Sequence, residues 1–228
     1  MAKITQQGSI TAWSFSRLQA YRKCPKYAYF LHVAKLKEPG NKAMQRGSDI
    51  DKDATEYLMG RAKTLRSELH TFKTEFDTLR KLPGLKTQEQ WAFTTQWSET
   101  GWFDGDAWLR IKTDFYRLNP KTKVLLLVDL KTGQERAEHS EQLDLYAMGG
   151  LLKMPEAKAV DVRLWYSDSG VKAPREEKLY TPADLPKLKT YWLAQVKSML
   201  ADRQFKEKPS YACSYCFFSK AKGGPCSF

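Results

Sequence analysis

The 228-residue chain has only four cysteines: Cys24, Cys213, Cys216 and Cys226. One lies near the N-terminus and three fall in the last 16 residues. In a reducing compartment that clustering argues against disulfides and for a bound metal. The chain has no apolar stretch long enough to span a bilayer. Its first residues, MAKITQQGSITAW, lack the apolar core of a signal peptide. These absences predict a soluble cytoplasmic protein. No internal repeat or low-complexity segment is present. Acidic residues are scarce: 26 against 38 basic ones, a net charge of +12. A surplus of that size favours a polyanionic partner, most simply nucleic acid.

An apolar fraction of 42% with 13% aromatics is enough for a real core in one domain. The stretch Val124-Leu-Leu-Leu-Val-Asp129-Leu-Lys131-Thr-Gly133 organises the rest. Five apolar residues in a row read as a buried strand. Asp129 and Lys131 break that run two positions apart, so both side chains lie on one face. Charges at the end of a buried strand are costly unless something uses them. A carboxylate there can hold a divalent cation, and a neighbouring lysine can position a water or stabilise a developing oxyanion.

The remainder divides into a few clear patterns. Ser14 or Ser16 caps a helix carrying Leu18 and Tyr21, and Pro25 ends it or starts the next. Arg17, Arg22, Lys23 and Lys26, interleaved with tyrosines, offer a phosphate-binding surface. Residues 35–46 form a loop. Apolar residues from Ile50 to Leu79 recur at helical spacing, which predicts one long helix over 48–81. Asp49, Asp51 and Asp53 then sit in its first turns, where the helix dipole favours them; the sharper expectation is that Asp51 faces the same metal as Asp129. Strands are expected at Gln88–Gln96, Ala107–Leu118, Val160–Ser167 and Arg175–Tyr180, with a turn at residues 168–170. With Asn119–Thr122 as the hairpin loop, Asp114 pairs with Leu127 and is a diagonal neighbour of Asp129, Cα atoms roughly 7–8 Å apart. Gln142 and Tyr146 share one face of a helix beginning near Ser140, and a further helix covers Asp184–Phe205. The tail from Lys206 to Phe228 has little structure without a metal.

Together these pieces resemble a RecB-like nuclease of the PD-(D/E)XK superfamily, in the branch with an iron–sulfur cluster that includes the AddB nuclease domain and the CRISPR-adaptation nucleases. The Ser-x-Ser-Arg-Leu, Tyr and Cys-Pro signature matches at Ser14 to Pro25. A glycine with a metal ligand four residues on matches at Gly47 and Asp51. The acidic motif falls at Asp114, Asp-x-Lys at Asp129 and Lys131, and Gln-x-x-x-Tyr at Gln142 and Tyr146. One cysteine before the core and three after it match the family's cluster. Two features depart from the family: Asp51 stands where histidine is usual, and nine residues separate Cys216 from Cys226.

The resemblance implies an α/β fold with a PD-(D/E)XK restriction-endonuclease-like core, a central mixed β-sheet flanked by helices. It implies a single nuclease domain over 1–228. Residues 1–46 are its N-terminal DNA-binding and cluster segment, 47–205 the core and 206–228 the C-terminal cysteine segment. Asp51, Asp114, Asp129 and the Leu130 carbonyl would hold Mg²⁺ or Mn²⁺. Asp114, Asp129, Lys131, Gln142 and Tyr146 would be catalytic. Ser14, Ser16, Arg17, Tyr21 and Lys26 would contact DNA. Cys24, Cys213, Cys216 and Cys226 would hold a 4Fe–4S cluster, or alternatively a structural zinc. The implied activity is a metal-dependent DNA exonuclease acting on ends or single strands in a bacterial or phage-infected cell, with a helicase, recombination or CRISPR-adaptation partner. Two rivals stand beside it: a DNA-end-binding protein of the same fold that no longer cuts, and a zinc-containing nucleic-acid module with incidental acids.

Overall fold

The computed structural model describes residues 8–133, 135–168 and 175–228. Contacts divide the chain into two compact units, one formed by residues up to Gly40 with Tyr191–Phe228, the other by Asn41–Thr190. No helix among the described residues is long and apolar enough to cross a membrane.

In the larger unit, β1 (Lys86–Thr87), β5 (Phe115–Leu118), β6 (Val124–Lys131), β7 (Ala159–Tyr166) and β8 (Arg175–Tyr180) form one sheet in the order β1-β5-β6-β7-β8. β6 and β7 run parallel from Val124↔Ala159 to Lys131↔Tyr166, and the other pairs are antiparallel. This is the expected mixed sheet, and β6, the organising strand, lies in its middle. A second sheet orders β2 (Gln90–Phe93) between β3 (Glu99–Thr100) and β4 (Leu109–Lys112).

The side-chain alternation of β6 sorts its residues between two layers. Val128 and Leu130 join a buried cluster with α3 (Lys42–Leu58), α4 (Lys73–Arg80), Phe115 and Trp165. Phe72 stacks on Trp165 at 4.7 Å. Leu125 and Leu127 face α5 (Ala137–Lys153), where a side chain at Gly150 would meet Leu125, Leu127 and Val160 within 2.9–3.2 Å. Asp129 and Lys131 therefore point to the α5 layer, as their spacing requires.

Four expectations need correction. The long helix over 48–81 is two helices joined by a turn and a 3₁₀ segment, Ser67–Phe72. Gly60 takes a left-handed φ of 76° just after Leu58, a conformation open to glycine that stops the helix. The apolar period carries across the break because both pieces bury against the same cluster. α3 also starts earlier, at Lys42, where the Asn41 side chain accepts from the Met44 N–H at 2.9 Å. Residues 42–46 are thus helical rather than loop. The expected strand Ala107–Leu118 is split between the two sheets at Thr113-Asp114. The expected strand Gln88–Gln96 is shorter, Gln90–Phe93, with β1 separate before it. Gln88, between β1 and β2, has φ 53° and donates its N–H to the Asp114 carbonyl at 2.7 Å. The hairpin thus bends on both strands at one level. The turn expected at residues 168–170 lies partly outside the described residues.

In the other unit, α1 (Phe15–Lys23) starts at Ser14, whose side chain accepts from the Arg17 N–H. α2 (Pro25–His32) has Pro25 in its first turn, where a missing N–H costs nothing. α6 (Leu185–Ala201) contributes Trp192, which stacks on Trp13 at 5.7 Å. Tyr29 packs on Phe205 at 5.4 Å, and Phe30 on Phe218 at 5.2 Å.

Candidate active site

All six core residues singled out in the sequence lie in the larger unit. The β5–β6 register is Phe115↔Val128. Continued by one residue, it puts Asp114 directly opposite Asp129, not diagonal to it. The correction comes from the loop. Asn119 pairs with Val124 through its N–H at 2.9 Å, so the loop is Pro120–Lys123, with Lys123 at φ 58°. This moves the register by two residues. A shift of two keeps the face and brings the two carboxylates closer.

Asp129 is buried at 5% exposure. Its Oδ1 accepts from the Tyr146 hydroxyl at 2.6 Å. Its Oδ2 is buried and lies 2.7 Å from Lys131 Nζ, an ion pair inside the site. Lys131 Nζ donates to Gln142 Oε1 at 2.8 Å. Gln142 Nε2 donates back to the Tyr146 oxygen at 3.0 Å. Asp129, Lys131, Gln142 and Tyr146 thus close a ring of polar contacts. Gln142 and Tyr146, one turn apart on α5, supply its far side. The Asp114 carboxylate accepts the Leu130 N–H at 2.7 Å, which ties the end of β5 to the end of β6.

The electrostatics follow from crowding three carboxyls. Burial, then the charges of Asp129 and Asp51, push Asp114 well above the ordinary carboxylate range; the Leu130 N–H and Lys131 oppose this. Burial and Asp129 raise Asp51 to about 6, against the pull of Lys112 and Lys131. Burial pushes Lys131 down, but the charges of Asp129, Asp114 and Asp51 outweigh it and hold Lys131 above its usual value. Lys131 is therefore a fixed cation and donor, not a base. Burial and the same carboxylates raise the Tyr146 hydroxyl well above its ordinary range, so it stays protonated.

Asp51 lies in the middle of α3, ten residues in, and the first turn holds no acidic residue. The helix dipole therefore does not account for it. Asp53 pairs with Arg66 at 2.8 Å and Asp49 accepts from Gln45 at 2.9 Å. The Asp51 carboxyl is instead raised by burial and by the charge of Asp129. Gly47 sits where α3 passes the strand end: a side chain there would meet Thr132 Oγ1 at 3.3 Å.

Two neighbours were missed in the sequence. His139 Nδ1 lies 2.9 Å from the Tyr166 hydroxyl, and Tyr166 pairs with Lys131. Burial and Lys131 lower the His139 pKa. Its place three residues before Gln142 on α5 is the signal that would have found it. Arg46 on α3 grips Asp168 at 2.7 and 2.9 Å, and Asp168 also accepts the Gly133 N–H at 2.8 Å. No local pattern marks that pair.

The four cysteines are free thiols and line one pocket of the smaller unit with Tyr27, Phe30 and Phe218. Cys24 stands between α1 and α2, and Cys213 and Cys216 flank the end of a 3₁₀ turn, Tyr211–Tyr215. The residues expected to touch DNA are partly engaged within this unit. Arg17 donates to the Ala12 carbonyl at 2.7 Å, Tyr21 to Asp202 at 2.8 Å, and Ser14 and Ser16 share a bond of 3.1 Å. Lys26 lies 3.5 Å from Glu207. Among the described residues, no three His, Cys, Asp or Glu side chains are arranged to hold a metal ion. The donor chemistry nevertheless fits: buried, hard carboxylate oxygens crowded together suit Mg²⁺ or Mn²⁺, and thiols lining one pocket suit iron–sulfur or zinc.

Comparison with known proteins agrees with this geometry. No curated protein matches the chain. A putative exonuclease from Eubacterium rectale shares the fold, with a TM-score of 0.56 at 12% identity, over 100% of this chain and 94% of that one. A solved structure named SSO0001 aligns at a TM-score of 0.45 and 14% identity, over 97% of this chain and 88% of that one, too weak to argue from. The family model for the PD-(D/E)XK nuclease superfamily, whose members generally use Mg²⁺ or Mn²⁺, matches residues 12–221. The chain belongs to the PD-(D/E)XK nuclease superfamily.

Proposed function

We propose that this protein is a metal-dependent DNA exonuclease acting on ends or single strands. The observation that carries the proposal is the opposed pair Asp114 and Asp129, with Asp129 buried and Lys131 fixed 2.7 Å from its Oδ2. Asp114, Asp129, the Leu130 carbonyl and Asp51 would hold Mg²⁺ or Mn²⁺. Bound there, the cation supplies an activated water and neutralises charge at the scissile phosphorus.

The chain's own groups do the rest. Tyr146 holds Asp129 by a donated proton, which orients that carboxylate. Gln142 aims Lys131, whose retained proton makes it a donor to the attacking water or to the developing phosphoryl charge. The preorganisation is local: every partner sits on β6, α3 or α5, or on the residue just before β5. In the smaller unit, Cys24, Cys213, Cys216 and Cys226 would hold a 4Fe–4S cluster in a structural role, with zinc as the alternative. A brown protein absorbing near about 400 nm would mark iron–sulfur, and a colourless one zinc.

Cleavage of DNA labelled at one end tests the activity. Progressive shortening with Mg²⁺ or Mn²⁺ that stops in EDTA is the expected result, and the label position gives the polarity. Internal cutting of a circle at the same rate would overturn the exonuclease assignment.

A further inference from the structure

Charge is divided unequally between the two units. Residues 1–40 and 191–228 contain 13 Lys and Arg against 3 Asp and Glu, a net +10; residues 41–190 contain 25 against 23, a net +2. Nearly all the chain's surplus thus sits in the smaller unit. Its three acids face partners inside that unit. Glu38 accepts from the Tyr27 hydroxyl at 2.6 Å. Asp202 accepts from the Tyr21 hydroxyl at 2.8 Å and from the N–H groups of Gln204 and Phe205. Glu207 lies 3.5 Å from Lys26.

Residues 208–228 contain no acidic side chain at all. This segment displays Tyr211 and Tyr215, 88% and 77% exposed, at the two ends of one 3₁₀ turn. Lys206, Lys208, Lys220 and Lys222, on either side of that turn in the sequence, are exposed, and Lys222 Nζ donates to the Tyr215 carbonyl at 3.2 Å. Open aromatic faces flanked by cations match a single strand, whose unpaired bases stack while its phosphates meet the lysines. A duplex fits less well because its base faces are already covered by their neighbours.

We propose that this C-terminal segment is a single-stranded DNA platform: Tyr211 and Tyr215 stack on bases, and Lys206, Lys208, Lys220 and Lys222 contact phosphates. The proposal rests on the reading of the chain as a DNA nuclease and adds where a strand is gripped.

Fluorescence anisotropy of the full chain in EDTA tests it, with a labelled oligo-dT and a duplex of equal length. The double variant Tyr211→Ala/Tyr215→Ala should bind oligo-dT about 10- to 100-fold more weakly, with duplex affinity changed far less. Tyr211→Phe/Tyr215→Phe should bind like the wild type, since the rings remain. Lys220→Gln/Lys222→Gln should lower the salt slope for the single strand by about 1.4. If the alanine variant loses its metal or melts early, the phenylalanine and glutamine variants still decide the matter: a salt slope unchanged in the glutamine variant overturns the proposal. So does wild-type affinity in a folded alanine variant, an equal loss on duplex, or wild-type binding to phosphatidylserine vesicles in place of oligo-dT. A wild-type protein that binds no DNA would instead sink the nuclease reading beneath it.

Discussion

At the residue scale, the site is a small set of groups whose protonation is fixed by their neighbours. Lys131 faces three carboxyls and keeps its proton; Tyr146, buried against Asp129, keeps its own. The Tyr146 hydroxyl is the joint of the ring. It accepts from Gln142, lies 3.1 Å from the Lys112 carbonyl, and gives its one proton to the shorter, charged contact with Asp129. Tyr146→Phe leaves the buried Asp129 Oδ1 and the Gln142 amide without that partner. A loss of about 1–3 kcal/mol is expected, read as a lowered urea midpoint at unchanged slope. A midpoint equal to the wild type would mean that the ring is not formed. These residues were legible because strand and helix periods report faces directly. Two residues apart on a strand placed Asp129 with Lys131, and four apart on a helix placed Gln142 with Tyr146. His139 follows the same rule one step back along α5.

At the scale of elements, periodicity survived where boundaries did not. Ile50, Leu69, Phe76 and Leu79 all reach one core, although Gly60 breaks the helix between them. The pattern reports which side is buried, not whether the backbone is continuous. The hairpin register failed for a related reason: Lys123 adopts a left-handed φ that its residue type does not announce, so the loop sits one residue later than the Asn-Pro-Lys-Thr composition implies. Placing Asp51 in the middle of α3 also gives it a pH signature. Its carboxyl is raised from 3.8 to about 6, so between those values the folded chain keeps a proton that the unfolded chain has released. Metal-free stability contributed by this group is therefore present below about pH 4 and lost as pH rises through 6. In EDTA, Asp51→Asn should be more stable than the wild type at pH 8, by on the order of 1 kcal/mol after allowance for its partial exposure, and similar to it at pH 4. Urea midpoints at the two pH values check this, and a gap of the same size at both would contradict it. If Asp51 holds the cation as proposed, the order should reverse with Mg²⁺ present, because the ionised carboxyl is then the stabilised form.

At the scale of the whole molecule, composition carried more than any motif: a net charge of +12 pointed to a polyanion, and the structure resolves that charge largely to one unit. The division itself was not legible. Residues up to Gly40 and after Thr190 join through pairs such as Trp13 with Trp192 and Tyr21 with Asp202, contacts between positions more than 170 apart that no local pattern encodes. The four cysteines, from both ends of the sequence, line one pocket of that unit. Cys216→Ser should lower the bound iron or zinc per chain and the thermal midpoint together, because metal binding to such a segment is also folding free energy. Elemental analysis with a parallel melt checks both; a variant with full stability and no metal would show that the cysteines do not staple the unit.

The central claim is that a cation held by Asp114 and Asp129, with Lys131 as donor, cuts DNA. Single-turnover cleavage by the wild type, Lys131→Ala and Asp129→Asn across a Mn²⁺ titration tests it most directly. The expected result is metal-dependent cleavage that Lys131→Ala slows by about 10²-fold or more and Asp129→Asn abolishes, both variants remaining folded. Cleavage that persists in EDTA, or a Lys131→Ala protein as fast as the wild type, would contradict the account.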